Sequence, residues 1–212
     1  MLLPGGSMRR VFSLSLLALF CALSARAQSS PSFESVVAQA SGEFLQARAD
    51  AKDAALARDI ERSARDAEQL NMDIWRLRSQ VSDVRRRAQQ ASNNQNQPHD
   101  PFLRNEVQRL VWDLRDYARK LQDLHWDIQR LARSAQQKDP ELVQPAQRLS
   151  SALQRLSSEL TWVVSDARWA SMDVRRAGFS MEAWDIERES SAAENSARQA
   201  QYEAQRLLGQ VR

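Results

Sequence analysis

The sequence predicts an all-α fold: an elongated antiparallel helical bundle with coiled-coil-type heptad packing, built from three long helices plus a fourth at the C-terminal end. Three observations predict it. Apolar residues return at alternating steps of four and three, an average of about 3.5, which keeps one stripe of a helix facing a partner; a strand would need a period of two. Helix formers (Ala, Gln, Arg, Glu, Leu) dominate, and beyond residue 27 only Gly42, Gly178 and Gly209 supply glycine. The apolar stretches are also separated by short polar segments that carry proline.

Residues 1–27 read as a signal peptide that is removed. Arg9 and Arg10 precede the apolar run from Val11 to Leu23, and Ala25-Arg26-Ala27 has the small-x-small form that signal peptidase cuts. The run is short for a bilayer span, which takes about 20 residues. Cleavage near Ala27 places the protein in the periplasm or outside the cell. It also takes away Cys21, so neither a disulfide nor a cysteine metal site is expected. The whole chain carries Lys+Arg 30 and Asp+Glu 27; Arg9, Arg10 and Arg26 leave with the leader, and 27 of each sign remain. The basic excess that would favour nucleic acid is gone, so nucleic-acid binding is not expected.

Residues 28–55 form an Ala-rich N-terminal helical segment. Ser30-Pro31-Ser32 offers a capping serine and a proline suited to a first turn. Phe33, Val37, Ala40, Phe44, Ala47, Ala51 and Ala54 then keep the four-three rhythm, weakened by Gly42. After Ala54 the phase slips. A skip in one helix and a hinge between two both fit, and the segment either docks on the bundle or extends from it.

The bundle proper is expected over 56–212. A first helix at about 56–92 carries Leu56, Ile60, Ser63, Ala67, Leu70, Ile74, Leu77, Val81, Val84 and Ala88, with Ser63 the one polar break. Ser92 to Pro101 reads as a turn, with Asp100-Pro101 as cap and first residue of a second helix at about 102–137. Its series is unbroken: Leu103, Val107, Leu110, Leu114, Tyr117, Leu121, Leu124, Ile128, Leu131, Ala135. Asp139-Pro140 opens a third helix at about 141–177, unless Pro145, which lacks a donor, moves the start onto itself. The third series runs Leu142, Ala146, Leu149, Leu153, Leu156, Leu160, Val163, Ala167, Ala170, Val174, Ala177, and the rhythm continues through Met181 and Trp184. Gly178-Phe179-Ser180 is a stop and restart: Gly178 suits a left-handed end, Ser180 a cap, and Phe179 a staple on Trp184. A chain that turns back here makes a fourth helix at about 181–209, seamed by Ile186, Ser190, Ala193, Ala197, Ala200, Ala204 and Leu207. If it ran straight, the product would be a three-helix rod; the fold-back is expected. Short connections make sequential helices antiparallel neighbours.

One short motif recurs within the helices: Met72-Asp73-Ile74, Trp112-Asp113-Leu114, Trp126-Asp127-Ile128, Met172-Asp173-Val174 and Trp184-Asp185-Ile186. With the apolar stripe lettered a and d, the first four place the aliphatic residue at a, Asp at g and the Trp or Met at f, opposite the seam. Trp162 and Trp169 fall at c. Duplication of a helical hairpin, with Asp at g pairing to Arg on a neighbour, accounts for the repeat. It does not account for indoles that point away from the core, which need a cover: the fold-back helix, a second copy, or an external ligand. Folding at the two turns sets Trp112 level with Trp162 and Trp169, and Trp126 level with Met72 and Trp75, as two outer bands. Arg119 and Arg133 share the stripe of Trp112 and Trp126, and Arg130 follows Trp126 by one turn, a pattern that suits cation-π stacking or an interface.

Nothing in the sequence points to catalysis, a metal or a cofactor. The two histidines, His99 and His125, make no ligand pair, and no nucleophile elbow, phosphate loop or haem motif occurs. The expected function is that of an exported, non-enzymatic interaction or scaffold/chaperone-like module. It would bind a protein partner or itself through Met72, Trp75, Trp112, Arg119, Trp126, Arg130, Trp162, Trp169 and Met172. The alternative is a binding module for an apolar ligand, a lipid surface or an envelope glycan, using the same tryptophans.

Overall fold

The structure, a computed structural model, describes residues 33–93, 101–135 and 139–212. The expected leader with its cut near Ala27, the Ser30-Pro31-Ser32 start and the Asp100 cap lie outside the described residues. Within them the secondary structure is helical: α1 (Phe33–Asn93), α2 (Pro101–Ser134), α3 (Pro140–Arg176) and α4 (Ser180–Val211). The chain divides into two compact units, 1–50 and 51–212. In the first, residues 41–48 are exposed, so Phe44 and Ala47 do not act as the seam their spacing suggested. The phase slip after Ala54 falls inside α1 as a single helix.

The second unit is a four-helix bundle, and its helix ends follow from local chemistry. Asp139 has an extended backbone (φ −99°, ψ 105°) and its carboxylate accepts the Glu141 N–H at 3.0 Å. Pro140 then takes the first helical position, where its missing N–H has no partner to lose. Pro145 lies inside α3 without ending it, so the helix does not start there. At the other end Gly178 is left-handed (φ 94°). Its N–H donates to the Arg175 carbonyl, and the Phe179 N–H donates to the Val174 carbonyl, both at 3.1 Å, which is the Schellman pattern. Phe179 is buried with the core and itself stands at the N-cap of α4, making no side-chain cap bond. Ser180 is therefore the first helical residue rather than the cap.

This turn decides between rod and bundle: both α2 and α3 pack along α4. It also corrects the third seam. Met181 and Trp184 continue the rhythm only if the helix runs straight; on the returning α4 they are exposed, and Ala183 and Ile186 face inward instead.

Polar contacts give the arrangement of the helices. Arg87 on α1 pairs with Glu106 on α2, and Gln80 donates to Asp113, so α1 and α2 run antiparallel. Arg148 on α3 pairs with Glu68, and Gln89 donates to Asp173, so α1 and α3 run parallel. Arg104 and Arg115 on α2 pair with Glu182 and Glu189 on α4, again parallel. Arg175 and Arg168 on α3 pair with Glu187 and Glu194 on α4, antiparallel. The ring order is therefore α1, α2, α4, α3, with directions up, down, down, up. The directions match expectation, but α2 and α3, consecutive in sequence, sit diagonally rather than side by side.

Burial follows the seams. In α1 from Leu56 to Ala88 and throughout the interior of α2, α3 and α4, the a and d positions are buried, Ser63 and Ser190 among them. The stripe is wider than two positions, because Ala64, Val111, Ala118, Ala132 and Val164, all at e, are buried as well. Each helix here touches two neighbours, and these extra buried positions, most of them in α2, widen the contact. α4 fills its stripe mainly with alanine, which lets its backbone approach α2 and α3 closely. With 34 residues, α2 is roughly 50 Å long at about 1.5 Å per residue. Among the described residues no helix is long and apolar enough to cross a membrane.

Candidate functional site

Every tryptophan points outward. Trp75, Trp112, Trp126, Trp162, Trp169 and Trp184 are between 51% and 66% exposed, while the Leu and Ile residues of the same heptads are buried. Their register explains this. Trp112 and Trp126 at f, Trp162 and Trp169 at c, and Trp75 and Trp184 at b all lie off the buried stripe. Met72 and Met172, at f, are exposed too.

The ring order sorts these residues onto opposite sides. The b and e side of α1 meets the c and g side of α3, as the Glu68–Arg148 and Gln89–Asp173 contacts show. Trp75, Trp162 and Trp169 consequently flank the α1–α3 groove. Asp173 is the polar centre of that groove: it accepts from Gln89 Nε2 at 2.9 Å and pairs with Arg85 at 3.4 Å and Arg176 at 3.3 Å. Arg85 lies 6.0 Å from the Trp169 ring and Arg78 lies 5.8 Å from the Trp75 ring. Cation-π attraction of this kind holds exposed indoles by about 0.5–1 kcal/mol each.

Trp112 and Trp126 belong to the other side, where α2 meets α4. Trp112 shares a level along the bundle with Trp162 and Trp169, and Trp126 with Met72 and Trp75, but Trp112 lies on a different side from Trp162 and Trp169 because α2 is diagonal to α3. Arginine partners differ from expectation. The guanidinium over Trp112 is that of Arg115, at 5.4 Å, not Arg119. Arg130 turns to Asp127 on its own helix at 2.8 Å, and the His125 ring lies 5.4 Å from that of Trp126, tilted by 55°.

A connected array spans this second side. Glu189 Oε1 accepts from Arg115 Nε and Nη2 at 3.1 and 3.0 Å and from Arg188 Nε and Nη2 at 3.2 and 2.6 Å. Arg115 stacks on Trp112, and Arg188 stacks on Trp184 at 4.7 Å. Burial alone would push the Glu189 carboxyl up, but the guanidinium N–H groups of Arg188 and Arg115 outweigh it and hold the carboxyl below its ordinary range. The series indole, guanidinium, carboxylate, guanidinium, indole ties α2 to α4 at the surface. Sequence spacing did not single out Glu189 or Arg188, and it counted Trp184 into the rhythm of the third helix. The local i, i+3 spacing of Trp112 and Arg115 and the i, i+4 spacing of Trp184 and Arg188 were the only signals available.

Farther along the same side a cleft of about 600 Å³ opens between Gln122, His125 and Trp126 of α2 and Arg198, Gln199, Tyr202 and Glu203 of α4. A smaller groove of about 280 Å³ lies between α1 and α2, lined by Asp66, Asp73, Asp123, Asp127 and Lys120 with Leu70 and Leu124 at its floor. Lys120 is bonded to Asp116 at 2.9 Å, which raises its pKa. Asp at g does pair across helices at Asp113, with Arg76 and Gln80, and at Asp173; Asp127 and Asp185 pair with arginines of their own helix. Among the described residues no group of three or more His, Cys, Asp or Glu side chains is placed to hold a metal ion. Comparison with protein-family models, with curated proteins and with solved structures gave no match.

Proposed function

We propose that the chain is an exported, non-enzymatic helical-bundle protein that acts as an interaction or scaffold/chaperone-like module, binding a protein partner or a second copy of itself through its outer aromatic faces. One observation carries this reading: six indoles stand at the surface of a bundle whose seam of Leu, Ile and Val residues is buried. Internal packing gives no reason for them, since α4 already returns along α2 and α3 and leaves them uncovered. Trp and Arg are the residue types that contribute most at protein interfaces, and each exposed indole offers a large area at low entropic cost. The α1–α3 groove is the stronger candidate face, with Trp75, Trp162 and Trp169 beside Met172 and the stacked Arg78 and Arg85. Seams filled with Leu, Ile, Val and Ala support a binding role over chemistry in the bundle interior. The arginine pair, apolar run and Ala25-Arg26-Ala27 support export to the periplasm or beyond.

The test is a photo-crosslinking residue placed at position 169 in the producing cell. A discrete adduct, to one protein or to a second copy, is expected, and Trp75→Ala with Trp162→Ala should abolish it without lowering the unfolding midpoint. Absence of an adduct, or an adduct indifferent to those substitutions, would contradict the reading. A second reading, a module for an apolar ligand, a lipid surface or an envelope glycan, is favoured by the cleft beside Trp126.

A further inference from the structure

We infer that the cleft between α2 and α4 is a binding site for an uncharged oligosaccharide, an inference that rests on the second reading above and narrows it to one ligand class and one place. The walls of the cleft are aromatic on both helices: Trp126 rises from α2 and Tyr202 from α4, each more than half exposed. The His125 ring lies 5.4 Å from the Trp126 ring, and both line the opening. Two amides, Gln122 of α2 and Gln199 of α4, line the same cleft. The cleft, about 600 Å³, is open along the surface, which suits a ligand that lies on it rather than one that is enclosed.

Charge narrows the class. Two ionic groups line the cleft, and the bundle already pairs both: Arg198 with Glu194 at 2.6 Å, and Glu203 with Arg206 at 3.2 Å. An anionic or cationic ligand would have to compete with these contacts, whereas a neutral one leaves them intact. A purely apolar ligand would strand the Gln122 and Gln199 amides without hydrogen-bond partners, which is costly once water is excluded. What remains is a neutral molecule with a flat apolar face and a rim of hydroxyls. A pyranose ring has both: its C–H face stacks on an indole or phenol ring, and its equatorial hydroxyls exchange hydrogen bonds with side-chain amides. Aromatic walls on two parallel helices suit a short run of such rings lying along the cleft.

The full chain should be titrated calorimetrically with gluco-, galacto- and N-acetylgluco-oligosaccharides of two to four rings, and separately assayed for retention on phosphatidylglycerol vesicles. The expected result is saturable binding of at least one of these sugars, weakened tenfold or more by Trp126→Ala and by Tyr202→Ala. Trp75→Ala and Trp169→Ala, on the opposite side of the bundle, should leave it unchanged. Circular dichroism of each variant must match the parent, as expected for surface positions. Binding indifferent to Trp126→Ala, or binding of none of the sugars, overturns the inference. Vesicle retention without sugar binding also overturns it, while leaving the broader ligand reading in place.

Discussion

Glu189→Gln is the substitution that most sharply probes how α2 and α4 are joined. Glutamine keeps the shape of the side chain but removes the charge that four guanidinium N–H groups address, and it inserts an NH₂ among donors. The magnitude lies between two limits. An exposed ion pair contributes about 0–1 kcal/mol, whereas hydrogen bonds to a charged group contribute about 1.5–3 kcal/mol. The Glu189 side chain is 11% exposed, Arg115 is 30% and Arg188 is 45%, so the carboxylate is mostly enclosed while its partners are partly screened. A loss of about 1–3 kcal/mol follows, and at about 2–4 °C per kcal/mol for a chain of this size the melting midpoint should fall by roughly 2–12 °C. The sign of its pH dependence is fixed. A carboxyl whose folded pKa is depressed contributes stability above its unfolded value, near about 4.3 for Glu, and loses that contribution as pH falls through the folded value. Urea unfolding followed at the helical circular dichroism band should therefore separate wild type from variant most at pH 7 and least in acid. Equal stability at pH 7, or a gap that persists undiminished at pH 3, would refute the reasoning.

Three further outcomes follow from the same geometry. Leu121→Ala, at a fully buried a position of α2, should cost about 2–5 kcal/mol in urea unfolding, whereas Trp112→Ala, 64% exposed, should cost no more than about 1 kcal/mol, the worth of its contact with Arg115. Gly178→Ala places a Cβ on a left-handed backbone and should destabilise by about 1–2 kcal/mol, read as a lower melting midpoint with unchanged helix content. Tyr117→Phe removes the hydroxyl that donates to the Leu70 carbonyl at 3.1 Å between α2 and α1, and should cost about 0.5–1.5 kcal/mol in the same assay; burial holds that phenol protonated well above the usual tyrosine range, so the loss should not vary between neutral and mildly alkaline pH.

The inward-facing residues were legible in the sequence because a helix repeats its faces, and a single polar interruption such as Ser63 does not disturb a seam of leucines. The outward direction of Trp112, Trp126, Trp162 and Trp169 followed from the same register. What the rhythm could not carry was which helix stands beside which. Spacing along one helix is silent on ring order, so the shared level of Trp112 and Trp162 did not say which side each faces; the Arg148–Glu68 and Arg115–Glu189 contacts place them on opposite sides. Trp184 was misplaced for a local reason: the four-three count runs on through Gly178, while the backbone reverses there. Glu189 was hidden because its partner Arg115 lies on a different helix and many other glutamates share its local surroundings. Tyr202 and Gln199 were overlooked because the cleft they line exists only once α4 has folded back along α2.

The aliphatic ladder of the bundle is enclosed while all six indoles meet solvent. The most direct test of this arrangement is acrylamide quenching of tryptophan fluorescence in the dilute, monomeric protein. A linear quenching plot that includes the whole emission, with a maximum close to that of tryptophan free in water, is expected. A blue-shifted emission with a large protected fraction would contradict it.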